Sequence, residues 1–208
     1  MKITASVLHT LNIVLVVLGC AATCTSLAAD LNRPVMLVAT SQLAGSGLDE
    51  TVLFAAPLPN GMHIGFIVNR PTDVTLAQAF PKHRPSRKVV DPIYFGGPNL
   101  AGMLFAAVPT PPQNAGEVLQ LMPGLALVSN GEAIDRIIET TPNAARYFVG
   151  LFAWPPGVLD EEVRAGAWDV SPADASAVFS ARPATIWKSL SRGGVRLDTL
   201  WHVGRSQT

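Results

Sequence analysis

The sequence predicts an α+β domain built on a mainly antiparallel sheet. Apolar strand-like runs come in pairs joined by turn signals, whereas segments of helical periodicity come singly between them. Charged residues make up 14% and hydrophobic residues 49% of 208 residues, enough apolar material for a sizeable core. Frequent Gly and Pro, 17 of each, punctuate the chain into short elements.

Val35–Ala39 and Thr51–Ala55 read as buried strands. Pro59-Asn60-Gly61 is a turn, Asn-Gly being a strong hairpin signal, and His63–Val68 returns as a third strand. These three form an expected antiparallel meander. Leu76–Phe80 reads as one or two helical turns, and Lys82–Lys88 as a polar basic loop. Ile93–Phe95 is a short strand running into Gly96-Gly97-Pro98, and Met103–Val108 is another. Val118–Met122 and Leu125–Val128 flank the Pro123-Gly124 turn of a second hairpin.

Ala133, Ile134, Ile137 and Ile138 recur at helical spacing, with Asn130 placed to cap the helix and Pro142 to end it. Arg146–Trp154 is apolar with few breaks, as a central strand would be. Leu159–Ala165 reads as a short acidic helix. Ser171-Pro172-Ala173-Asp174 reads as the opening of another, with the Ser171 hydroxyl as cap. Thr185–Leu190 forms the last helix, closed by Gly193-Gly194.

The first 28 residues have the form of a secretory signal. Met1-Lys2 begins them, Val7–Leu18 is mainly apolar, and Ser26-Leu27-Ala28 places small residues before a cut at Ala29. His9 and Asn12 interrupt the run, which is short for a membrane span of about 20 residues. The chain is therefore expected to divide into a signal peptide, 1–28, and a single exported domain, 29–208, with the periplasm as destination. Val17-Leu18-Gly19-Cys20 also resembles a bacterial lipoprotein cleavage box, with Cys20 as the lipidated residue and a lipid-anchored envelope form as the alternative. Cys20 and Cys24 are the only cysteines, so cleavage after Ala28 leaves none for disulfides, thiolate catalysis or metal ligation. That cut removes Lys2 and no acid, leaving a formal charge of −1. A near-neutral domain is expected to have no nucleic-acid partner, and membrane contact only if lipidated.

Three segments in order resemble the YqgE/AlgH family. They are Gly65–Thr72 followed by Val74-Thr75-Leu76; Tyr94–Pro98; and Gly150–Leu159 followed by Glu162 and Ala167-Trp168. The similarity covers about residues 33–191. It implies a strongly coiled sheet, partly closed into a barrel, packed against single helices, and it implies no reaction. One branch carries a name linked to transcriptional regulation of alginate production, a role not carried to an exported chain. Leu151 stands where the family usually has Tyr, Ala153 where it has Gly, Val158 where it has Gln, and Asn99 where it has an apolar residue.

The candidate ligand-binding residues are Asn69, Arg70, Gly96, Gly97 and Trp154. Arg70, at a strand end, could clamp an anion bidentately; the competing reading is a structural turn with Arg70 paired to an acid such as Glu161 or Glu162. Gly96-Gly97 could admit a ligand to the backbone or simply make a tight turn. Trp154 could be a recognition surface or a core residue. His63, His83 and His202 show no metal-ligand spacing, and Gly45-Ser46-Gly47 is not a nucleophile elbow. No catalytic residue, metal or cofactor is expected. Two functions compete: a non-catalytic interaction or regulatory module with an unknown protein partner, and a small-ligand binder or enzyme using one pocket around Asn69, Arg70, Gly97 and Trp154.

Overall fold

The computed structural model describes residues 29–113, 115, 116 and 118–193. The leader with Cys20 and Cys24, and Gly194 and His202, lie outside the described residues. Ten strands and five α-helices follow in the order β1 (Val35–Ala39), β2 (Val52–Pro57), β3 (His63–Ile67), β4 (Pro71–Thr75), α1 (Leu76–Ala79), β5 (Pro92–Phe95), β6 (Asn99–Val108), β7 (Val118–Met122), β8 (Leu125–Val128), α2 (Gly131–Thr140), β9 (Arg146–Trp154), α3 (Val158–Arg164), β10 (Trp168–Pro172), α4 (Ala175–Val178) and α5 (Pro183–Gly193).

The strand order is β10-β1-β2-β3-β9-β6-β8-β7, with β5 bonded to β9 and β4 to β5. The sheet curls into a half-barrel, as the family resemblance implies, with few helices against it. The β1–β2–β3 meander and the β7–β8 hairpin form as their turns dictate. β9 is central: it bonds β3, β6 and β5. Its pairing with β5 is parallel, the one departure from antiparallel order among the described strands.

α2 begins where Asn130 accepts a hydrogen bond from the Ala133 N–H, and it buries Ala133, Ile134, Ile137 and Ile138 as its periodicity requires. α1 is a single turn closed by a capping box between Thr75 and Gln78. The Lys82–Lys88 segment contains a 3-10 turn at Arg84–Lys88.

One local reading needs correction. Ser171 does not cap a helix; Ser171-Pro172 end β10 (Trp168–Pro172), in antiparallel register with β1 from Val35–Pro172 to Ala39–Trp168. The cap of α4 is Asp174, whose carboxylate accepts from the Ser176 N–H. Pairing along a whole strand outweighs the weak helix-opening signal of Ser171-Pro172.

The core falls into three packed groups. The concave face gathers Phe54, Phe66, Tyr94 and Phe148, with Phe66 and Phe148 rings 4.7 Å apart. α4 and α5 close part of that face through Val178 and Ile186, and the Trp187 indole donates to the Ala39 carbonyl at 3.0 Å. α2 covers a second face over Ala106, Ala126 and Tyr147. α3 packs a third beside Leu37, Leu53, Trp154 and Trp168.

Candidate functional site

Asn69 and Arg70 emerge from β3 beside the 45–51 loop. The Asn69 side-chain Oδ1 accepts from the Val52 N–H at 2.9 Å, and its Nδ2 donates to the Glu50 carbonyl at 2.8 Å. Glu50 sits at φ 52°, a left-handed turn that this amide bond braces. Arg70 donates to the Gly47 carbonyl at 2.7 Å, the Asp49 carbonyl at 3.3 Å and the Thr51 hydroxyl at 2.8 Å. Its partners are thus the loop backbone and a hydroxyl, not Glu161 or Glu162. The Asp49 carboxyl is held below the usual carboxylate range, first by the Gly45 N–H, with the Arg70 charge a lesser contribution.

Gly96 and Gly97 bring two strands into close crossing. The Gly96 N–H donates to the Val149 carbonyl and its carbonyl accepts from the Ile67 N–H, both at 2.9 Å. A Cβ on Gly96 would strike the Gly150 carbonyl, and one on Gly97 the Leu151 backbone. Gly150, at φ +69°, meets the Gly97 carbonyl from the other side. Asn99 then ties this crossing to the end of β9 by accepting from the Ala153 N–H at 3.0 Å.

Trp154 lies at the far end of β3, opposite His63 in the register. Six residues separate His63 from Asn69, about 20 Å at ~3.3 Å per residue. Trp154 is 4% exposed, stacks on Phe152, and its indole N–H donates to Glu162 at 3.1 Å. The same carboxylate oxygen accepts from the Trp168 indole at 2.8 Å. Asn69, Arg70, Gly97 and Trp154 therefore do not surround one pocket; each bonds or packs against the chain itself.

The largest of the open concavities described lies elsewhere. A cavity of about 470 Å³ at the mouth of the half-barrel is walled by Ile64 of β3, Phe105 of β6, Leu127 of β8, Leu151 of β9, and Val118 and Leu119 of β7. Leu58 adds to the apolar wall, and Ser129 supplies the hydroxyl. Among the described residues no charged side chain lines it. Leu151 adds to this apolar wall from β9. The alternation of each strand foreshadows such a face, but which strands meet across it depends on the curl of the sheet.

Arg146 is a polar residue the sequence reading missed. It is 4% exposed, 3.0 Å from Asp91, and donates to the Tyr94 hydroxyl at 2.8 Å and the Ser180 carbonyl at 2.9 Å. Its guanidinium carbon lies 4.5 Å from the Tyr94 ring centroid, and its Nε is buried without a partner among the described residues. Burial raises the Tyr94 hydroxyl above its ordinary pKa, with the Arg146 charge opposing. Within an apolar run, only Arg146's presence at the strand start hinted at a buried ion pair. Among the described residues no three His, Cys, Asp or Glu side chains gather to hold a metal.

The coiled half-barrel with this strand order defines an α+β class whose sequence model, described as AlgH-like (DUF179), matches residues 36–195. The chain belongs to the AlgH-like family. It is similar to the solution structure of the AlgH protein of Pseudomonas aeruginosa, with a TM-score of 0.67, 22% identity, and 86% of this chain and 96% of that one covered. A crystal structure of the Corynebacterium diphtheriae protein DIP2367 superposes with a TM-score of 0.64 at 22% identity, covering 79% and 88% of the two chains. Among curated relatives, the UPF0301 protein of Chlorobium luteolum is 27% identical over 168 residues, 76% of this chain and 85% of that protein.

Proposed function

We propose that this chain is an exported, non-catalytic interaction module of the AlgH-like family, working in the periplasm or, if Cys20 is lipidated, at the envelope surface. The observation that carries the interaction reading is the contrast between its polar residues and its cavity. Asn69, Arg70, Glu162 and Arg146 are bonded to the protein itself, while the cavity between β3, β6, β7, β8 and β9 is apolar, with Ser129 its one polar side chain among the described residues. Such a surface binds by shape and desolvation; its described residues offer no acid, base or charged clamp with which to polarise a substrate. The alternative, anion binding at Asn69 and Arg70, would require Arg70 to release its bonds to the 47–51 loop.

The signal-like composition of residues 1–28 supports the destination. Residues 1–35 fused to a reporter active only outside the cytoplasm are expected to give signal, and retention of the full-length protein in the cytoplasm overturns the localisation. Incorporation of labelled palmitate separates the lipidated form. Pull-down from envelope extracts tests the interaction reading: recovery of a specific partner is expected, and turnover of a small molecule by the purified chain overturns it.

A further inference from the structure

Three described strands have a free edge: β10 and β7, which end the strand order, and β4, which pairs only with β5. An unpaired edge presents N–H and C=O groups to any passing strand, and proteins blunt it with charge, proline or distortion. β10 carries Asp169 and Pro172, and β4 carries Pro71 and Asp73. β7 reads Val118-Leu119-Gln120-Leu121-Met122, with neither charge nor proline. Its one register shift lies between Gln120 and Met122, at the turn end, and leaves Val118–Gln120 in regular pairing with Val128–Ala126. The Gln120 side chain donates inward to the Met122 and Leu125 carbonyls, so it braces the hairpin rather than shielding the edge.

The second observation is what lies beside that edge. β7 borders the apolar cavity at Val118 and Leu119; Leu119 is 36% exposed and shares its face with Leu121, which packs with the cavity residues Phe105, Leu127 and Leu151, whereas Val118 packs on the opposite face. Successive side chains of a strand point to opposite faces. A strand laid along β7 would therefore turn every second side chain toward the cavity. The described cavity wall is aliphatic and aromatic apart from Ser129, and such a wall selects uncharged, aliphatic side chains at those positions.

We propose that β7 accepts an extended segment of a partner polypeptide by strand addition, with alternate aliphatic side chains seated in the cavity. The proposal rests on the interaction-module reading and names the partner's chemistry: main-chain hydrogen bonds supply affinity, and the cavity supplies selection.

The test uses the purified full chain and a fluorescein-labelled short peptide of alternating valine and threonine, followed by fluorescence anisotropy. Saturable binding is expected. N-methylation of alternate peptide nitrogens, or Leu119→Lys, is expected to weaken it about tenfold or more, with the melting curve of the variant unchanged. Equal binding of the N-methylated peptide overturns the proposal, because the cavity would then take side chains without strand pairing. A concentration-dependent dimer that Leu119→Lys dissociates, with no peptide binding, also overturns it and gives the edge to a second copy. An envelope partner held equally by Leu119→Lys and the unaltered chain overturns strand addition but leaves the interaction reading standing. That reading fails separately if the unaltered chain recovers no partner.

Discussion

Asp91 is a half-exposed residue whose removal is expected to act like a core mutation. Its side chain is 51% exposed, and that of Arg146 is 5% exposed. An ordinary surface pair is worth about 1 kcal/mol or less. Asp91→Ala, however, leaves a buried guanidinium without its counter-charge, a situation that costs about 3–5 kcal/mol when the pair is fully buried. Arg146 retains the Tyr94 hydroxyl and the Ser180 carbonyl, and water reaches the Asp91 side. We therefore expect a cost below that range, about 2–3 kcal/mol, measured by urea denaturation with the slope unchanged. For a chain of this size that lowers Tm by roughly 5–10 °C. The double variant Asp91→Ala/Arg146→Met should be more stable than Asp91→Ala alone, because it also removes the uncompensated charge and the unpartnered Nε. Asp91→Ala within about 0.5 kcal/mol of the unaltered protein, the usual surface outcome, refutes the reasoning. So does a double variant less stable than Asp91→Ala.

Three further outcomes follow from the same geometry. Glu162→Ala strands the Trp154 and Trp168 indole N–H groups and should cost about 2–5 kcal/mol, with near-UV circular dichroism altered; Glu162→Gln, which keeps an acceptor, should cost less. Equal stability of the two variants would show that the bonds are unimportant. Arg70→Ala should cost about 1–2 kcal/mol and speed proteolysis of the 45–51 loop, because the three bonds it loses are partly solvated. Undiminished loop protection counts against the structural role. Burial raises the Tyr147 hydroxyl well above its ordinary pKa. The unfolded chain therefore ionises first: the contribution is intact below about pH 10 and falls by about 1.4 kcal/mol per pH unit above it. Tyr147→Phe should remove that part of the alkaline slope, and an unchanged slope on alkaline urea titration would assign it elsewhere.

By itself the sequence determined the elements that local chemistry controls. Asn60-Gly61 and Pro123-Gly124 set two hairpins, because a turn fixes the register of the strands it joins. Asn130 and the 3.6-residue spacing of apolar side chains set α2 within a residue or two. The order of three short motifs was enough to identify the family, and with it the coiled sheet. Only the tertiary structure decided what depends on distant partners. β4 and β10 lie on free edges and show weak patterns of their own; each is a strand because β5 or β1 bonds it. Arg70 found backbone carbonyls where a carboxylate was expected, because the 45–51 loop folds across it. Glu162 found two tryptophans, since α3 packs its flank against both β9 and β10. The apolar cavity arises from five strands curling toward one another, and the curl accumulates from small twists that no single segment encodes.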